Sequence, residues 1–201
     1  CDIVWQPFHP SWNKIAVGEL NRDIYSTVIA NDYFAKAGYK LSGTSRLWGR
    51  DQISLKIVCN NEDITKVEAA KYIASSLKSM GFSAEVVQYN WENYKKAVAS
   101  GDFDIYIGKV ALPANMDLSF LFQTEILNSG KSISPAFGEA LSSFYRGEID
   151  AREMAAAFSE EMPFIPLYYT RGALAVSRLV SGDFTPSESD AFHGIENWTM
   201  K

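Results

Sequence analysis

The chain has 201 residues, a formal net charge of −5 at neutral pH, 47% hydrophobic and 13% aromatic residues. That balance suits a folded domain able to bury a sizeable core and excludes a disordered tail. An acidic chain without a dense Lys/Arg cluster argues against a nucleic-acid surface, and no apolar run approaches the ~18 residues that a membrane span needs.

Residues 2–5 read as the start of a strand, and residues 40–54, rich in Ser, Gly and Arg, read as a loop or loose hairpin. Residues 55–59 are a short apolar run that stops at Asn60, Asn61, Glu62 and Asp63, which predicts a strand and its end. Thr65 followed by Glu68 has the form of a capping box and places a helix start at Thr65. Val67, Ala70, Ile73, Ala74, Leu77 and Met80 recur at helical spacing as its apolar stripe, while Lys66, Lys71, Ser75 and Lys78 fall on other faces. Gly81 should end the helix in the left-handed conformation. Residues 82–89 predict a second strand, Asn90 caps a helix from Trp91 to about Ser100, and Gly101 with Asp102 turns the chain into a third strand over residues 103–107. The order strand, helix, strand, helix, strand implies parallel strands joined by helical crossovers, an α/β architecture.

Further on, Asp117 reads as a cap for a segment over residues 118–122. Ser134 and Pro135 open a helix with Phe137, Leu141 and Phe144 on its apolar stripe, and Gly147 ends it. Asp150 with Glu153 opens another, whose Met154, Phe158 and Met162 should face the sheet before Pro163 stops it. Residues 164–169 predict a strand made irregular by Pro166. A turn at Arg171 and Gly172 leads to a strand over residues 173–176, and residues 181–192 read as loop.

Several stretches carry a family resemblance in the right order. Leu77, Lys78 and Gly81 at a helix end, Trp91 and Tyr94 on the next helix, and Gly101, Asp102, Phe103 and Asp104 entering a strand are similar to the extracellular solute-binding proteins of family 5, the peptide/nickel cluster that serves ABC importers. PFHPSW from Pro7, YFAKAGY from Tyr33, MPFIPLYY from Met162 and GIENWTM from Gly194 agree with it. The resemblance implies a periplasmic-binding-protein-like type II lobe, a mixed, mostly parallel sheet with helices on both faces. It also implies that residues 1–201 form the C-terminal second lobe of a two-lobed protein, with residues 1–54 as lead-in, 55–108 as βαβαβ core and 109–201 as cleft loop, helices and returning strands. The implied partners are a peptide or other small solute, the missing N-terminal lobe and the membrane permease subunits, with the protein a monomer and no cofactor. The implied location is extracellular or periplasmic. No signal peptide is legible, and Cys1 reads either as the lipid-modified first residue of a lipoprotein or as a trimming boundary. Cys1 and Cys59 could pair, or both could be buried free thiols.

Ligands of open α/β sheets bind beyond the carboxyl ends of the strands, which points to the loop after Ile107, GKVALPANMDLSFLF. Peptide-binding members of the family carry there a tryptophan and an aspartate that pairs with the peptide amino terminus. Val110 and Pro113 stand about where those residues would be, with Asn115 and Asp117 close behind. Lys109, Asn115 and Asp117 are therefore cleft candidates, and Tyr106, Trp91 and Arg171 further ones. Three have a plainer reading: a helix cap for Asp117, packing for Trp91 at its helix start, a solvated turn for Arg171. His9 and His193 stand far apart with no ligand pattern around them, so no metal site is expected. The chain holds no nucleophile elbow, phosphate loop, nucleotide glycine fingerprint or Cys-x-x-Cys pair. Asp102 and Asp104 read as a turn residue and one solvent-facing or structurally bonded side chain, so the expectation is a binding protein and not an enzyme, with a stand-alone α/β regulatory or protein-interaction domain as the competing reading.

Overall fold

The computed structural model describes residues 26–110, 133–168, 174–186 and 190–201. The readings placed on residues 1–25, including the strand from Asp2 and the PFHPSW stretch, lie outside them, as do those on the segment 118–122.

The first described helix, α1 (Thr27–Lys36), starts at Ser26, whose hydroxyl accepts the Ile29 amide hydrogen, and ends at Ala37 before Gly38 at φ 92°. Residues 40–52, expected as a loop or loose hairpin, form a three-stranded antiparallel meander: β1 (Lys40–Ser42), β2 (Ser45–Trp48) and β3 (Asp51–Gln52). Strands this short, most of whose residues are exposed, show no alternation of apolar and polar positions, so nothing in the sequence separates them from loop. One residue is deeply buried, Arg46 at 2% exposure. Its guanidinium donates to the carbonyls of Tyr39 and Met80 and to Asn31 Oδ1, and it lies between the Phe34 and Phe82 rings.

The parallel sheet is formed by β4 (Ser54–Asn60) at the centre, β5 (Ser83–Tyr89) on one side and β6 (Ile105–Ile107) on the other, in the order β5-β4-β6. Alternation along β4 assigns its two faces. Ile57 and Cys59 pack with Val67, Ala70 and Ala74 of α2 (Ile64–Ser79), while Val58 packs with Tyr94, Ala97 and Val98 of α3 (Trp91–Ser100). Each crossover helix thus covers one face, as the element order predicts. Cys59 is a fully buried free thiol.

The cap of helix α2 lies two residues earlier than expected. Asp63, not Thr65, is its cap, with the carboxylate accepting the Thr65 amide hydrogen at 3.0 Å. Glu68, expected to complete a capping box, pairs instead with Lys71 at 2.8 Å. Aspartate is at least as good a cap as threonine, and choosing it carries the helix back over Ile64. Gly81 sits at φ 92° as predicted, and its carbonyl accepts the Arg46 amide hydrogen at 2.6 Å. A Cβ at Gly81 would come within 2.9 Å of both the Leu41 side chain and the Thr44 carbonyl, so the helix end and the meander meet where only glycine fits. Helix α3 is capped by Asn90 and closed by Gly101 in the left-handed conformation, both as expected.

Strand β6 starts at Ile105, two residues after the expected start. Asp104 Oδ2 accepts the Lys56 amide hydrogen at 2.7 Å, the Asp104 amide donates to the Lys56 carbonyl, and Asp102 pairs with the Lys56 ammonium at 2.7 Å. The two carboxylates therefore stitch the amino-terminal edge of the sheet.

Helices α4 (Pro135–Tyr145) and α5 (Ala151–Glu161) form a separate packed pair with the predicted caps: Ser134 with Pro at the first turn, and a reciprocal Asp150/Glu153 box. Met154 and Phe158, expected to face the sheet, instead pack against Phe137 and Leu141 of α4. Met162, the third expected sheet contact, is 46% exposed at φ 42°, because the helix stops at Glu161 ahead of Pro163 and Met162 caps it in the left-handed conformation. Residues 164–168 make only an isolated bridge at Tyr168 and not the expected strand, since Pro163 and Pro166 lack the amide hydrogens a ladder needs. Phe164 instead packs on the helical pair and Leu167 on the sheet cluster, so this segment joins the two cores. Residues 174–177 are likewise not strand. Nearer the end, β7 (Val180–Ser181) pairs antiparallel with β8 (Thr199–Met200), where loop was expected from Ser181.

Candidate functional site

The carboxyl edge of the parallel sheet is where β4 ends at Asn60, β5 at Tyr89 and β6 at Ile107. The Asn61 amide and the Asn60 side chain both donate to the Tyr89 carbonyl, at 2.8 and 3.4 Å, which closes the gap between the two strand ends. Tyr94 of α3, itself buried, donates its hydroxyl to the Ile107 carbonyl at 2.9 Å and fixes the third. Around it the aromatic side chains form a continuous wall. Trp91 stacks on Tyr94 with centroids 5.7 Å apart, Tyr106 meets Tyr94 edge-on at 6.5 Å, and Phe103 meets Tyr106 at 4.9 Å. Lys95 lies over the Trp91 ring, and the Trp91 amide donates to Glu62.

Across this edge reaches Lys66, from the first turn of α2 on the opposite face of the sheet. It is only 8% exposed, with its ammonium 5.8 Å from the Tyr94 ring centroid. Desolvation lowers its pKa below the ordinary lysine value; Asp63 opposes that shift, and the positive charge of exposed Lys109 adds to it. Burial raises the Asp63 carboxyl, but hydrogen bonds from the Thr65 and Lys66 amides and the Lys66 charge outweigh it and leave Asp63 below the usual range. Burial pushes the Tyr106 phenol up to about 12, and Tyr94 rises for the same first reason. Tyr168 is raised by burial with Asp63 adding, which brings the end of the 164–168 segment to this edge as well.

Of the residues singled out in the sequence, Trp91, Tyr106 and Lys109 come together here. Asn115, Asp117 and Arg171 lie outside the described residues, as do Pro113, Cys1 and His9. Val110 is half-buried against the helical pair. His193 is exposed, 3.8 Å from Asp190. Sequence reasoning missed Lys66, assigned to a face away from the core, and Asn60 and Tyr94 as the residues that shape the edge. Only the position of Lys66 in the first helical turn after a strand could have drawn attention to it. Chemically, the edge offers π faces, buried carbonyl-anchored polar groups and a desolvated cation. Among the described residues no three His, Cys, Asp or Glu side chains group as metal ligands.

The family model described as bacterial extracellular solute-binding proteins, family 5 Middle, matches residues 4–125. Among solved structures, the chain is similar to the oligopeptide-binding protein AppA from Bacillus subtilis in complex with a nonapeptide, at 17% identity and TM-score 0.68, covering 100% of this chain and 42% of that one. It is similar also to a nickel ABC transporter protein from Bacillus halodurans, at 18% identity and TM-score 0.66 over 83% of this chain and 36% of the other. A third is the periplasmic oligopeptide-binding protein from Thermotoga maritima with bound mannohexaose, at 20% identity and TM-score 0.62, covering 94% and 39%. The chain thus spans less than half the length of these structures. No curated protein matches it.

Proposed function

Because the chain belongs to the bacterial extracellular solute-binding proteins of family 5, we propose that it forms one wall of a solute-capturing cleft serving an ABC importer. The observation that carries this reading is the family match itself, which spans the whole βαβαβ unit and the loop that leaves its carboxyl edge. An edge lined by Trp91, Tyr94 and Tyr106, with Lys66 and Lys109 beside them, suits a ligand that offers flat or apolar surface and polar ends. Lys109, Tyr106 and Trp91 are assigned to that wall, and Asn115, Asp117 and Arg171 to the loops that complete it.

The solute is an oligopeptide or another small molecule held between this lobe and a first lobe supplied by the longer protein. Closure of the two about a hinge traps it and creates the surface that the permease subunits read. With Val110 packed into the helical core where peptide-binding relatives carry tryptophan, α-amino recognition of a peptide follows a different route here. The protein binds and releases without catalysis, works as a monomer, and is extracellular or periplasmic.

Calorimetric titration with oligopeptides, nickel and mannohexaose tests this. One wall supplies part of the contacts, so the 201-residue chain should bind its solute with a Kd above about 1 mM, while the two-lobed protein reaches the micromolar range or below, at least about 4 kcal/mol tighter. Tight binding by this chain alone would overturn the two-lobe reading. Indifference of the two-lobed protein to every solute, together with a stable complex with a protein partner, would favour a regulatory domain.

A further inference from the structure

Two features of Lys66 do not belong together in an ordinary surface helix. It is more than nine-tenths buried, and among the described residues its ammonium has no hydrogen-bonded or ion-paired acceptor. A buried cation is normally matched by an anion or a set of carbonyls, because removing the charge from water without such partners is unfavourable. Arg46 in the same molecule meets that requirement with three acceptors. Among the described residues, the Lys66 ammonium meets the face of Tyr94 and no acceptor. The carboxylate that acts on it electrostatically, Asp63, accepts the Thr65 amide hydrogen and forms no ion pair with Lys66.

The surroundings of that ammonium are those an anion would seek. It projects from the first turn of α2, a 16-residue helix whose amino-terminal amides carry partial positive charge. Lys109, at the end of β6, adds a second cation to the same field. Its position, across the carboxyl ends of three parallel strands, is the part of an α/β sheet where ligands enter.

Resting on the reading of the chain as a cleft wall, we propose that Lys66 is an anchor for a free carboxylate of the captured solute. A monoanion fits better than a dianion such as phosphate: it neutralises one ammonium and leaves Asp63, nearby and ionised, with little added repulsion. The carboxylate takes the acceptor role that no described residue fills, and the aromatic wall from Tyr94 to Trp91 lies alongside the rest of the molecule. The source of the carboxylate, a peptide carboxyl terminus or a small organic acid, is left to the experiment.

The test uses the 201-residue chain with lysine carbons labelled for NMR, and acetate, tetra-alanine and tetra-alanine amide as probes at constant ionic strength. Acetate should shift the Lys66 side-chain resonance and the amide resonances of residues 64–66 along a saturating curve, while exposed Lys71 shifts weakly and linearly. Lys66→Gln should weaken the saturable amide response by at least about tenfold, and Lys66→Arg, which keeps the charge, should retain it. Tetra-alanine binding more tightly than acetate, with its amide inert, assigns a peptide terminus; acetate alone saturating assigns a small acid. A Lys66 resonance that tracks Lys71, or a Lys66→Gln chain with undiminished response, overturns the proposal. A saturating response in this chain alongside a two-lobed protein that takes up no solute would leave the anchor standing and remove the import reading.

Discussion

Two buried cations, one in the meander and one at the carboxyl edge of the parallel sheet, are handled in opposite ways. Arg46 is 2% exposed and Lys66 8%, and both lie against aromatic rings. Arg46 spends its planar fork on Asn31 and on two carbonyls, one of them Met80 at the carboxyl end of α2, where the helix concentrates negative partial charge. It ties α1, the meander and α2 into one block. Lys66 sits at the other end of the same helix, where the partial charge is positive, with Lys109 adding to the cost. The first arrangement has partners that stabilise the fold; the second lacks them among the described residues, which is the role the proposed carboxylate would fill.

The sharpest way to break this contrast is to remove each cation in turn. Arg46→Met should lose about 3 kcal/mol in urea denaturation, since hydrogen bonds from a charged donor contribute about 1.5–3 kcal/mol and the orphaned carbonyls stay buried. Little loss would mean that the meander does not depend on it. Gly81→Ala, which strains the φ 92° junction and drives a methyl into Leu41 and Thr44, should cost about 2 kcal/mol by the same measurement. Lys66→Met should act in the opposite direction and stabilise the chain by about 1–2 kcal/mol, as removal of an unpaired buried charge often does. A destabilised Lys66→Met chain would show that the cation holds the fold together after all.

The pH dependence sharpens the point. Because the folded pKa of Lys66 is lowered, the unfolded chain holds more protons as pH rises through that value, so the penalty present at neutral pH is progressively relieved. The stability gap between wild type and Lys66→Met should therefore narrow as pH approaches about 10, where an unperturbed lysine titrates. Taking the difference cancels the opposing contributions of Tyr94 and Tyr106, whose raised values make stability fall at alkaline pH. Smallest of all should be Asp102→Asn. The pair it makes with Lys56 is solvent-exposed on the acid side, and such pairs contribute about 0–1 kcal/mol.

The parts of the fold that were legible in the sequence are those set by local chemistry. Caps at Asn90, Ser134 and Asp150, terminators at Gly81, Gly101 and Gly147, and the apolar run at Ile57 and Val58 all act within a few residues and appear where expected. What was misread depended on partners far along the chain. An apolar stripe on α5 announces a buried face without saying that α4, not the sheet, will cover it. The run from Phe164 has strand-like residues, yet its prolines leave it to serve as a strap between two cores. Lys66 was invisible for a similar reason: its ring contact is with Tyr94, 28 positions on and across the sheet, whereas Lys109 could be singled out from the rule that places ligands beyond strand ends.

Cys59 lies near the carboxyl end of the middle strand with no exposed surface, flanked by Ile107 on β6 and roofed by Ala70 and Ala74 of α2. No thiol reagent can reach its sulfur while α2 stays packed on the joined strands, so the labelling rate of this position is a clock for the larger openings of the molecule. That clock would register any event that pries β4 from its neighbours, and stay silent for motions confined to loops at the sheet's rim.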